Sequence, residues 1–148
     1  MTALNKGILF EESNEFLKWG EPLREISKRL GIYGHNKSGR TLFEWGKRTI
    51  LGGLEVELTS TFRNFTFFPW NRKFNEVNSW TIGDKHAEKE YERISTHLVS
   101  KYGEPSTSKT PPLPDDQILE WELDKFTISL VLFDQHCYKL LLTIKERE

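Results

Sequence analysis

Five carboxylates crowd into ten residues near the end of the chain: Asp115, Asp116, Glu120, Glu122 and Asp124, with no basic residue among them. Two readings fit such a cluster. Acidic side chains on a solvated sheet face block edge-to-edge aggregation. The same charges form a patch that speeds association with a basic protein and selects against wrong partners. Glu55 and Glu57 join the set, because the strand that carries them resembles the C-terminal strands in pattern. No other group of reactive residues supports catalysis. His86 and His97 lie eleven residues apart on one expected helix, about 16 Å by helical rise, too far to share a metal. His136 and Cys137 form an adjacent pair with no carboxylate at ligand spacing, whereas a structural zinc site needs about four ligands. As a nucleophile Cys137 would need a base delivered by folding. Gly34-His-Asn-Lys-Ser-Gly39-Arg40-Thr41 comes within one letter of the phosphate loop GxxxxGK(S/T). That loop works between a strand and a helix, where backbone N–H groups and a helix start meet phosphate. Here the order is reversed and arginine replaces the lysine, so a connecting loop is expected. No metal and no cofactor are expected.

The segment 62–74 holds six aromatic residues. Within it, Arg63-Asn-Phe65-Thr-Phe67-Phe-Pro-Trp70 resembles in spacing the aromatic strand of RNA-recognition domains, whose rings stack on bases. Arg63 matches the basic position, and Phe65, Phe67 and Trp70 match the aromatic ones. Asn64 and Thr66 depart from the small residues of that family. Arg72 and Lys73 add charge beside the rings, the general recipe for single-strand binding. The plainer reading is a core strand and a hydrophobic corner.

Composition narrows the classes. The 148 residues suit about one domain with a real core. Nineteen aromatics (ten Phe, five Trp, four Tyr) offset a hydrophobic content of only 36%, because each ring buries a large area. A formal charge of −1 gives no global field towards nucleic acid or an anionic membrane. A single cysteine excludes an internal disulfide framework. No stretch approaches the ~20 apolar residues of a membrane span, and the N-terminal residues do not read as a signal peptide. A cytoplasmic protein is expected.

The clearest structural signal is at 118–123, 126–133 and 137–144, three antiparallel strands in succession. Phe126, Ile128, Leu130 and Leu132 share one face of the middle strand; Tyr138, Leu140, Leu142 and Ile144 share one face of the last. Residues 134–136 are a polar break of hairpin length. The alternation predicts a further strand over 53–62, with Leu54, Val56 and Leu58 against Glu55, Glu57 and Thr59. Shorter strands are expected at 7–10 and 41–45, with weaker candidates at 65–68 and 74–82. A helix is predicted over 21–30, with Pro22 first and Gly31 as its stop, and a separate helical turn around Phe16, Leu17 and Trp19. A second helix starts near Asp84 as N-cap, carries the stripe Ala87, Tyr91, Ile94, Leu98 and Tyr102, and ends at Gly103 and Pro105. Residues 106–116 read as a loop.

The order strand, helix, strands occurs twice. Ile26 and Leu30 align with Ile94 and Leu98 at an offset of 68, and Leu42-Phe-Glu-Trp45 with Ile118-Leu-Glu-Trp121 at 76. Leu54, Val56 and Leu58 match Ile128, Leu130 and Leu132 at 74. The expected fold is one α+β domain over 1–148, an antiparallel sheet or sheets with helices on one face, with pseudo-repeated β-α-β-β-β halves at 1–73 and 74–148. A compact α+β plan without a catalytic constellation, with an acidic strand-and-loop segment at 115–124, is similar in general character to the small bacterial immunity proteins that neutralise toxin domains. That resemblance rests on no motif and transfers no residue. It implies a non-enzymatic domain that occludes a toxin active site, with a basic protein as partner. The alternative is single-stranded nucleic-acid binding through 62–74, which the near-neutral charge does not favour.

Overall fold

The computed structural model describes residues 5–63, 73–109, 117–135 and 137–147, without the side chains at positions 37, 63, 107–109, 134, 135, 137 and 138. The fold is α+β, with two helices and antiparallel strands among the described residues. The chain divides into two compact units, Met1–Val77 and Asn78–Glu148.

The first unit opens with a hairpin of β1 (Gly7–Phe10) and β2 (Glu15–Lys18), paired Ile8↔Leu17 and Phe10↔Glu15. The sequence pattern around Phe16, Leu17 and Trp19 suggests a helical turn. Phe16 and Leu17 instead lie in a strand and Trp19 just beyond it, with Leu17 and Trp19 buried and Lys18 facing out. Helix α1 (Leu23–Leu30) follows, burying Leu23 and Ile26. Pro22 sits one residue before the helix rather than inside it. Its carbonyl accepts the first helical bonds from the N–H groups of Glu25 and Ile26 (3.0 and 3.3 Å). Gly31 closes the helix at φ 70°, donating its N–H to Ser27 O, as a left-handed C-terminal residue should.

Strands β3 (His35–Lys37), β4 (Arg40–Ile50) and β5 (Leu54–Arg63) complete this unit as an antiparallel meander. The near-match to a phosphate loop is the β3–β4 hairpin. Ser38 and Gly39 turn it with φ 52° and 75°, the two positive angles of a two-residue hairpin loop. Strand β4 runs five residues beyond the expected 41–45 because a bulge at Trp45 resets its phase: Glu44 pairs with Thr59 and Gly46 with Leu58. After the reset Ile50 faces the same core as Phe43 and Trp45. Trp45 is buried, stacks on Phe43 with centroids 5.2 Å apart, and donates its indole N–H to Ser60 Oγ (2.8 Å). Ser60 in turn donates to Glu76 O (2.6 Å), so a fully buried hydroxyl has both of its roles filled.

The free edge of β2 is closed by side chains. Glu15, Leu17 and Trp19 direct their backbone groups towards the first strand, as the bond from Trp19 N–H to Lys6 O (2.8 Å) shows, leaving those of Phe16 and Lys18 on the other side. Arg29 Nη2 donates to Phe16 O (3.0 Å), and Lys18 N–H donates to Glu21 Oε2 (3.2 Å). Arg29 and Glu21 bond to each other as well. The ion pair therefore fills the donor and acceptor positions that one residue of a parallel neighbouring strand would occupy, which protects the edge from pairing with another chain. Burial pushes the Glu21 carboxyl up, but Arg29 and the Lys18 N–H outweigh it and hold it below its ordinary value. A depressed folded-state pKa gives stability that is present above the unfolded pKa and lost as pH falls through the folded one. Wild type should therefore lose stability more steeply than Glu21→Gln as pH is lowered below about 4.5, in urea midpoints taken from pH 6 to pH 3. Parallel curves would mean that the pair does not couple to folding.

The second unit repeats the order helix, short strand, long strands. Strand β6 (Glu76–Ile82) leads into it, and α2 (Asp84–Tyr102) follows. Gly83 (φ 117°), not Asp84, is the N-cap, its carbonyl receiving the Ala87 N–H at 2.7 Å. Asp84 opens the first turn, where its charge suits the helix dipole. Ala87, Ile94 and Leu98 are the buried stripe; Tyr91 and Tyr102 lie at its margin. Strands β7 (Thr107–Lys109), β8 (Gln117–Glu122), β9 (Phe126–Gln135) and β10 (Cys137–Glu146) pair in succession, all antiparallel. Residues 107–109 are thus a strand where the sequence reads as loop. The last two strands continue through 134 and 135 and pair Gln135 with Cys137, so the break between them is shorter than expected. Helix α2 packs on β9 and β10, over Ile128, Leu130, Leu140 and Leu142. Trp121 is buried and donates its indole N–H to Gly103 O (2.9 Å), tying β8 to the end of the helix.

Candidate functional site

The strands of the second unit have one face under α2 and one face turned away from it. Strict alternation assigns the residues. With Phe126, Ile128, Leu130 and Leu132 buried, Thr127, Ser129, Val131 and Phe133 lie on the outer face of β9. Register carries that face across its neighbours. Leu141 and Ile118 flank Val131, Thr143 and Glu120 flank Ser129, and Lys145 and Glu122 flank Thr127. Asn78 joins the face by bonding Thr143 Oγ1 (3.0 Å), and Trp80 joins it by stacking on Phe133 with centroids 6.2 Å apart.

The resulting surface has three parts. Its centre is apolar and aromatic: Ile118, Val131, Phe133 and Leu141 are partly buried, while Trp80 and Ile82 keep 52% and 65% of their surface exposed. Lys139 and Lys145, both exposed, stand on β10. Glu120 and Glu122 stand on β8, with exposed Asp124 in the turn just beyond. Aromatic side chains ringed by charge are the usual make-up of a protein-binding surface.

Glu120, Glu122 and Asp124 therefore do come together on one side of the unit. Asp115 and Asp116 lie outside the described residues. Glu55 and Glu57 belong to the first unit, on the exposed face of β5, and Lys47 attends both: its ammonium is 3.0 Å from Glu55 Oε1, and it pairs across the ladder with Glu57. One cation beside two carboxylates offsets part of their charge, so Glu55 and Glu57 are a weaker acidic patch than Glu120 and Glu122. Of the aromatic segment, 64–72 lies outside the described residues. Its two ends are core: Phe62 packs edge-on against Phe43 and Phe74 stacks on Trp19. The sequence pattern passes over Trp80, Ile82 and Phe133 as surface residues. The signal that could have found them is the alternation of Val77 and Ser79, both buried, with Trp80 and Ile82.

Two other places were candidates for chemistry. A cleft of about 480 Å³ beside β2, walled by Phe16, Trp19 and Pro22, has its Arg29 committed to Glu21 and to Phe16 O. Arg48 lies over the Phe10 ring (4.5 Å) and donates to Trp45 O and Glu12, which makes it a structural cation. Among the described residues no group of three or more His, Cys, Asp or Glu could hold a metal ion. No helix among them is long and apolar enough to cross a membrane. No family model matches the chain, and neither does any curated protein or solved structure.

Proposed function

We propose that the protein is a non-enzymatic binding domain whose partner is a basic protein. The observation that carries this reading is the row of Glu120 and Glu122 beside an exposed aromatic centre on one sheet face, with Asp124 at its end. Carboxylates at the rim of such a surface steer a cationic partner and raise the on-rate, while apolar contact at the centre holds it. The finer form of the proposal is an immunity protein: the partner is a toxin domain, and the bound domain blocks its active site by bulk and charge, without chemistry. Glu55 and Glu57, paired with Lys47, contribute less than the acidic segment.

The test uses the partner recovered from the native cell, identified, purified and measured directly. Reversing Asp115, Asp116 and Glu122 to lysine should slow association several-fold at 50 mM salt, leave dissociation nearly unchanged, and lose most of its effect at 300 mM, where the Debye length is below 10 Å. Equal association rates for wild type and the triple variant at low salt would sink the reading.

A further inference from the structure

We infer that the outer sheet face of the second unit is also a self-association surface, and that its occupant in the absence of another protein is a second copy of this chain. The argument is the symmetry of its charges. Lys145 and Glu122 stand in the same row, on either side of Thr127 on β9, and Leu141 and Ile118 stand likewise on either side of Val131. A two-fold axis parallel to β9 and midway between the two faces exchanges the two sides. It sets Lys145 of one copy over Glu122 of the other, Leu141 over Ile118, and Val131 and Phe133 over their own equivalents. Such a contact is isologous: the Lys145–Glu122 pair forms twice, Leu141 meets Ile118 twice, and Glu120 faces the neutral Thr143. Sheets packed face to face stand about 10 Å apart, a gap that long Lys and Glu side chains bridge. Trp80 and Ile82, otherwise left largely in water, gain cover in the contact.

The area sets the size class of the contact. Four strands spaced about 4.8 Å and some seven residues long give roughly 19 Å by 23 Å, or about 440 Å² for each copy. Two copies bury about 900 Å², below the ~1,200 Å² of a stable interface, so the dimer belongs with the weak, transient contacts. A basic protein that uses the same face displaces the second copy. The inference nevertheless rests on the face alone, so the basic-partner reading and the dimer stand or fall separately.

Sedimentation velocity of the full chain between about 5 and 500 μM, with no other protein present, is the experiment. The expected result is a monomer–dimer equilibrium that Trp80→Ser shifts at least tenfold towards monomer. Lys145→Glu should weaken it as strongly, and Lys145→Glu combined with Glu122→Lys should restore it to within about threefold of wild type, because the two positions face each other. Far-UV circular dichroism confirms that each variant is folded, and all three positions are on the outer face. A wild type that stays monomeric throughout overturns the inference. So does a dimer that none of the substitutions weakens, or a double swap no better than its single parts, since either places the contact elsewhere.

Discussion

Trp45→Ala should destabilise the protein by about 3–5 kcal/mol, the range for removing a large buried aromatic side chain. Trp45 is 1% exposed, and three separate contacts converge on it. It stacks on Phe43, meets Phe74 edge-on at 6.3 Å, and hands its indole proton to Ser60. Truncation opens a cavity between these rings and removes the donor from a hydroxyl that is itself 0% exposed. Trp45→Phe separates the two contributions. It keeps most of the volume but deprives Ser60 of its donor, and should cost roughly 1–3 kcal/mol. Urea unfolding of both variants checks this. If Trp45→Ala fell within about 1 kcal/mol of wild type, the bulge would not be directing Trp45 into the core.

What was legible in the sequence, and what was not, follows from how each element is specified. β9 and β10 announced themselves because one face is buried over most of their described residues, so alternation runs unbroken from Phe126 to Leu132 and from Leu140 to Ile144. Helix α2 was equally readable, its stripe being long enough to outweigh chance. The failures have local causes. In β4 the alternation changes phase after Trp45, the residue the bulge inserts, so the strand looked half its length. β2 is only four residues long, and Phe16, Leu17 and Trp19 alone fit a helical turn as well as a strand; pairing with β1 decides between them. Asp84 has the chemistry of an N-cap, yet Gly83 takes the position because its φ of 117° suits glycine. The acidic side of the candidate site was legible as a charge run. Its aromatic centre was not, because Trp80, Ile82 and Phe133 come from two distant strands whose meeting only the fold supplies.

The same alternation gives the sharpest contrast between neighbouring residues. Leu140 is 1% exposed, pairs with Leu132 across the ladder, and lies on the face that α2 covers; Lys139, one residue earlier, is exposed on the opposite face beside Phe133. Leu140→Ala removes three buried carbons under a helix that has little freedom to collapse into the gap, because Ile94 and Leu98 are already packed there. The expected cost is about 2–5 kcal/mol. Lys139→Ala removes only a solvated stem and a charge, and should stay within about 0.5 kcal/mol of wild type. Urea midpoints of the two variants, with their slopes compared to exclude a change in the unfolded state, provide the measurement. Equal midpoints would mean that β10 presents the other face to the helix. Slippage by one residue would have that result, moving Leu140 and Leu142 to the outside and Lys139 to the inside together.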